Sequence, residues 1–299
     1  MIIFEGFRQA TVRVHEMDIF CRIGGQGDPV LLLHGFPQTH VMWSEIAGSL
    51  AQSYTVVCSD LRGYGASSKP RGVKNYSFRE MGKDQIALMH ALGFDEFHLV
   101  GHDRGGRVAH RISLDFVQNI KSLTLMDIVP THLLLDKINK EVARAYYHWL
   151  FLAQPYPFPE TLISSDPDYF YESCLLGWGS AKINDFPIEH LTEYRKSWRN
   201  AETVRAMCDD YRAAIDFDFD LDAIDLGRSL DVPSLIMWGQ DGAMDRAYDM
   251  DKVWKDRLSN LQTRAIPGGH FFPEISSEMT AEVLISFLNS LKGCQLPNM

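Results

Sequence analysis

The sequence predicts an α/β fold: a mostly parallel sheet flanked by helices, with a helical segment inserted late in the chain. Three observations lead there. The runs VLLLHG (30–35), TVVCSD (55–60), FHLVGHD (97–103), SLTLMD (122–127) and SLIMWG (234–239) are almost continuously apolar, as strands covered on both faces are. The second and third of these runs are separated by a stretch with helical period, which is the alternation of β-α-β units. From Pro130 to about Ile215 that alternation stops, and the pattern becomes helical and aromatic.

Each element has its own signal. Residues 8–24, RQATVRVHEMDIFCRIG, alternate polar and apolar positions around a turn near Glu16 to Asp18, which predicts a half-exposed hairpin. In NYSFREMGKDQIALMHALG, Ser77 and Glu80 have capping-box spacing, and Phe78, Met81, Gln85, Leu88, Met89 and Leu92 share one face before Gly93 ends the helix. TRAIPGG is the last strand candidate. The core is therefore assigned to residues 1–129 and 216–299, and a helical cap to 130–215. Of the 34 Phe, Trp and Tyr residues, 14 fall in 131–215; this suits a lid over an apolar pocket as well as the core of a small unit. The linker DFDFDLDAID (216–225) alternates acids with Phe and Leu and reads as a solvated strand or helix edge, not a calcium loop.

Composition narrows the function classes. The 299 residues are 45% apolar, enough to fill a large core. A formal charge of −10 with no basic tract argues against nucleic-acid or anionic-membrane partners. Cys21, Cys58, Cys174, Cys208 and Cys294 are odd in number and show no Cys-x-x-Cys spacing, so neither a disulfide framework nor a zinc site is indicated. The N-terminal stretch lacks the basic end and apolar centre of a signal peptide, and no apolar run reaches membrane-spanning length. The expectation is a cytoplasmic protein.

The chemistry lies in Gly101-His102-Asp103-Arg104-Gly105. Glycines two before and two after let a strand turn sharply into a helix and leave the middle side chain exposed, the geometry of a nucleophile elbow. That elbow usually presents serine, which attacks acyl carbon. An aspartate is already an anion at neutral pH. It can displace a leaving group from saturated carbon, and water attacking its own carbonyl then cleaves the ester. His270, in PGGHFF after the last strand candidate, is placed to act as base for that water. Two acids at strand ends, Asp127 and Asp241, are candidates to orient it. HGFP (34–37) should set the Phe36 N–H opposite that of Arg104 as a pair of oxyanion donors.

Arg104 and Arg107 stand three apart in the first turn of the helix that follows the elbow. Cations at a helix N-terminus are unfavourable without an anion to join them. Two forked donors exceed what one nucleophile needs, which suits a substrate carboxylate held by both.

HGFPQTHVMW (34–43), DLRGYGASSKP (60–70), GHDRGGR (101–107), MDIVPTH (126–132) and GGHFF (268–272) together resemble the fluoroacetate dehalogenases, a branch of the α/β-hydrolases, over nearly the whole chain. H-D-R-G-x-R is the most specific element, because haloalkane dehalogenases and epoxide hydrolases typically carry Trp after the nucleophile. The resemblance implies an α/β-hydrolase core, haloacetate hydrolysis, no metal or organic cofactor, a small anionic substrate and a homodimer. It implies attack by Asp103, a carboxylate grip by Arg104 and Arg107, and Asp127 rather than Asp241 as the triad acid. It also implies a halide pocket of His148 and Trp149, from YYHWL, and Tyr211, from CDDYR, with Trp178 of LLGWG lining the same space. The rival expectations are an epoxide hydrolase or haloalkane dehalogenase with the same nucleophile, and a non-catalytic small-acid binder.

Overall fold

The structure is a computed structural model that describes residues 3–136, 138–177 and 181–292. Eight strands form one sheet: β1 (Arg8–Val14), β2 (Met17–Gly25), β3 (Asp28–Leu33), β4 (Tyr54–Ser59), β5 (Phe97–His102), β6 (Ile120–Met126), β7 (Ser234–Gly239) and β8 (Leu261–Ile266). Their spatial order is β1-β2-β4-β3-β5-β6-β7-β8. β1 and β2 form the antiparallel hairpin, and β2 runs antiparallel to β4; every pairing from β4 through β8 is parallel. Leu32, Val57, Leu99, Leu125 and Ile236 are all fully buried, which is why these strands appear as unbroken apolar runs.

Helices connect the strands: α1 (Ser44–Leu50), α2 (Phe78–Ala91) and α3 (Asp103–Asp115) in the first half, then α12 (Ala243–Ala247), α13 (Met250–Lys255), α14 (Phe272–Ile275) and α15 (Ser277–Lys292) at the end. The Ser77 hydroxyl accepts the Glu80 N–H as predicted, whereas the Ser77 N–H goes to the Lys74 carbonyl, so half of the capping box forms. Gly93, at φ 88°, lies just past the end of α2.

Between β6 and β7 the chain runs through α4 (Thr131–Asp136), α5 (Lys140–Ala145), α6 (Tyr147–Leu152), α7 (Phe158–Ser165), α8 (Pro167–Gly177), α9 (Ile188–Trp198), α10 (Ala201–Ala213) and α11 (Phe219–Ile224). A π-helical turn, Ala214–Asp218, joins the last two. The linker acids are not uniformly solvated: Asp218 is buried and accepts the Phe78 N–H, because the π turn directs it inward against the start of α2. Among the described residues no helix is long and apolar enough to cross a membrane.

This topology positions the site. From β3 the chain moves to one side to form β4 and then crosses to the other side to form β5. The crevice beyond the carboxyl ends of β3 and β5 is the switch point where such sheets bind ligands.

Candidate active site

Asp103 follows directly from β5 and begins α3, with φ 47°. A side-chain-bearing residue in the left-handed region costs free energy and marks a turn held by its surroundings. Gly101 and Gly105 make that turn possible. A Cβ on Gly101 would overlap the Gly105 carbonyl, and one on Gly105 would overlap the His34 carbonyl. The Gly105 N–H donates to that His34 oxygen at 2.9 Å, tying the elbow to the end of β3.

The chain that leaves β3 places the Phe36 N–H 2.8 Å from Asp103 Oδ1. Among the described residues no bond runs from the Arg104 N–H to this carboxylate, so one of the two expected oxyanion donors is engaged. The two carboxylate oxygens are thereby distinguished: Oδ1 is held by the backbone, and Oδ2 lies 3.7 Å from His270 Nε2. Burial pushes the Asp103 pKa up. His270 first, with the Arg104 charge and the Phe36 N–H, outweighs it and brings the value down to about 2. The group is an anion at any working pH.

His270 lies beyond β8 and bonds through Nδ1 to Asp127 Oδ2 at 2.6 Å. Asp127 Oδ1 accepts the Gly239 N–H at 3.0 Å, so both oxygens of this buried acid are used. Asp241 faces another way and accepts the Gly268 N–H at 3.2 Å in an exposed turn. Burial lowers the His270 pKa, but the hydrogen bond and charge of Asp127, with Asp103 behind them, raise it above 6.5 overall. The neighbouring His102, lowered to about 3 by burial and by His270, stays neutral and donates from Nε2 to the His270 carbonyl at 2.9 Å.

The arginines do face one way. Both guanidiniums stack on Trp149, with Arg104 at 4.9 Å and Arg107 at 4.7 Å from the ring centroid. They are not equivalent. Arg104 is fully buried and forms a forked pair with Asp210 of α10, through Nε at 2.9 Å and through Nη2; the Tyr64 hydroxyl donates to the same carboxylate at 2.6 Å. Burial alone would lower the Arg104 pKa, and Asp210 raises it. The expectation that both forks are open to a ligand is therefore corrected for Arg104: its fork is filled by Asp210, and only Nη1 has no partner among the described residues. Arg107 donates from Nη1 to the Val129 carbonyl at 2.9 Å and the Thr131 hydroxyl at 3.1 Å. Among the described residues no acid forms an ion pair with it, and burial lowers its pKa.

His148, Trp149 and Tyr211 converge above the elbow. The Tyr211 ring stands edge-on to His148 at 5.5 Å, to Trp149 at 5.2 Å and to Phe36 at 5.1 Å. The Trp149 indole N–H and the Tyr211 hydroxyl are buried without a partner among the described residues, which is costly unless something accepts from them. Burial keeps the His148 pKa well below 6.5, so its ring is neutral. Trp178 lies outside the described residues.

A family model for the alpha/beta hydrolase fold matches residues 28–275. The chain belongs to that family. It is 49% identical over 293 residues to the fluoroacetate dehalogenase of a Burkholderia species, covering 97% of this chain and 96% of that protein. It is 28% identical to the soluble epoxide hydrolase of Corynebacterium sp. strain C12, covering 90% and 92%. A solved structure from Nostoc sp PCC 7120 matches with a TM-score of 0.93 at 43% identity, covering 95% of this chain and 99% of that one.

Within this hydrolase, sequence reasoning missed Asp210 and Tyr64. Tyr64 sits in the GYG turn after β4, to which only a structural role is assigned from sequence. The signal for Asp210 was the demand for an anion at the start of α3, but its partner is 106 residues away.

Proposed function

We propose that this hydrolase cleaves the carbon–halogen bond of small haloacetates through an ester on Asp103. The observation that carries the reading is Arg107: a buried guanidinium with no acid of its own among the described residues, beside the nucleophile. A buried charge calls for a counterion, and a substrate carboxylate on Arg107 and Arg104 Nη1 supplies it. The name of the 49% identical relative supports the same substrate class.

In the first step Asp103 Oδ2 attacks the methylene carbon. The carbon–halogen bond breaks, and the halide leaves with the electron pair towards the Trp149 N–H, the Tyr211 O–H and His148. In the second, neutral His270 takes a proton from water as the water oxygen attacks Asp103 Cγ. The negative charge develops on Oδ1, where the Phe36 N–H already donates. Collapse breaks the Cγ–Oδ2 bond, and glycolate leaves with Oδ2 and the proton from His270. The regenerated carboxyl loses its proton, so haloacetate and water give glycolate, halide and a proton. Residues 130–215 act as the lid that keeps bulk water from this pocket.

The test is halide release from fluoroacetate and chloroacetate, with a single turnover in heavy-oxygen water. Solvent oxygen is expected in Asp103 and not in the first-turnover glycolate, and Asp103→Asn is expected to release no halide. First-turnover glycolate carrying solvent oxygen overturns the ester route.

A further inference from the structure

One buried carboxylate beyond the catalytic set joins the two halves of the molecule at the site. Glu274, in α14 and four residues past His270, is 6% exposed. It accepts from Gln38 Nε2 at 2.6 Å, from the Tyr194 hydroxyl at 2.9 Å and from His190 Nδ1 at 2.5 Å. His190 Nε2 in turn lies 2.8 Å from the hydroxyl of Ser44 at the start of α1. With Nδ1 donating to Glu274 and Nε2 accepting the Ser44 O–H, both ring nitrogens of His190 are used.

The partners are placed where the chemistry needs precision. Gln38 is two residues past Phe36, the oxyanion donor, and its own N–H is fixed to the Gly35 carbonyl at 3.0 Å. His190 and Tyr194 are four apart on α9 and so share a face. Tyr194 also leads through Trp198 and Tyr171 to the Phe36 ring, with ring centroids 6.2, 5.3 and 5.7 Å apart in turn. Phe186, just ahead of α9, packs edge-on at 5.7 Å against Phe271, next to the catalytic histidine. Glu274 is thus the point where the oxyanion segment, the histidine segment and α9 are pinned to one another.

We propose that Glu274 is a positioning residue for the hydrolytic half of the reaction, holding the Phe36 N–H and His270 in one register set by α9. The inference rests on the two-step ester reading. Formation of the ester uses Asp103, the arginines and the halide donors, none of which Glu274 touches. Cleavage of the ester uses His270 and the Phe36 N–H, whose supporting segments it holds.

The experiment is rapid-quench halide release from chloroacetate, with intact-mass detection of the ester, in wild type, Glu274→Gln and Tyr194→Phe. In Glu274→Gln the first-turnover release is expected to stay close to wild type while the steady-state rate falls by about tenfold to 100-fold, the usual cost of a misplacement of about 1 Å, and the ester accumulates. Tyr194→Phe removes one hydroxyl from the same carboxylate and is expected to shift the ratio of the two phases in the same direction by less; it decides the matter if Glu274→Gln does not fold. A proportional fall of both phases, or an unchanged ratio, overturns the inference while the dehalogenase reading stands. No halide release by wild type removes both.

Discussion

Replacing Arg107 with alanine tests the carboxylate grip most directly. Arg107 is 3% exposed, and its guanidinium forms no ion pair with an acid among the described residues and lies against Trp149 beside Asp103. If it meets the substrate carboxylate there, the variant loses one side of a buried, hydrogen-bonded charge pair, which costs about 2–5 kcal/mol. At about 1.4 kcal/mol per tenfold, kcat/KM for chloroacetate should fall by about 30-fold to several thousand-fold. Chloroacetamide has nearly the same shape without the charge. It should lose only what a neutral hydrogen bond contributes, about 0.5–1.5 kcal/mol, or roughly twofold to tenfold. The substitution also strips the Val129 carbonyl and the Thr131 hydroxyl of a donor, and an unsatisfied buried group costs about 1–3 kcal/mol of stability. Thermal melting reads that loss separately. Equal fold-losses for chloroacetate and chloroacetamide in a folded variant would refute the reasoning and leave Arg107 a packing residue.

Asp210→Asn should destabilise the protein by about 3–5 kcal/mol in denaturant titration, because it leaves the buried Arg104 without its counterion, and should lower kcat/KM for haloacetates as that guanidinium loses its orientation; unchanged stability would contradict the described pairing. The role proposed for His270, base for ester cleavage, sets an expected pH dependence. It accepts a proton only when neutral, and its pKa is raised above 6.5 despite burial, chiefly by Asp127. The cleavage rate should therefore fall as pH drops through a value above 6.5 and level off on the alkaline side. Asp127→Asn should move that limb to lower pH, and a limb that stays in place or moves up counts against the assignment.

How much of this was legible in sequence depends on where the constraint lies. Strands buried on both faces show themselves as continuous apolar runs, and β3 to β7 lie within a few residues of those runs. The elbow was legible because close backbone approach demands glycine at fixed offsets around Asp103, a local rule. His270 could be found from chain order alone, whereas the choice between Asp127 and Asp241 needed the resemblance or the structure. Asp210 shows the limit. Asp209 and Asp210 are neighbours in one helix, yet Asp209 pairs with Arg205 and Arg212 of the same helix, while Asp210 turns to Arg104 in the core. Nothing local separates them, because the difference is set by how α10 docks. Glu274 escaped for the same reason: its three partners come from two distant segments.

Phe36, Asp103, Asp127 and His270 come from the ends of β3, β5, β6 and β8, spread over almost the entire chain. No fragment, and no half-assembled sheet, can hold all four within reach of one another. Their mutual placement depends on contacts of large sequence separation, which are slow to form. An activity that needs all four residues would therefore return in a refolding chain only with these long-range contacts, and not with the appearance of helices alone.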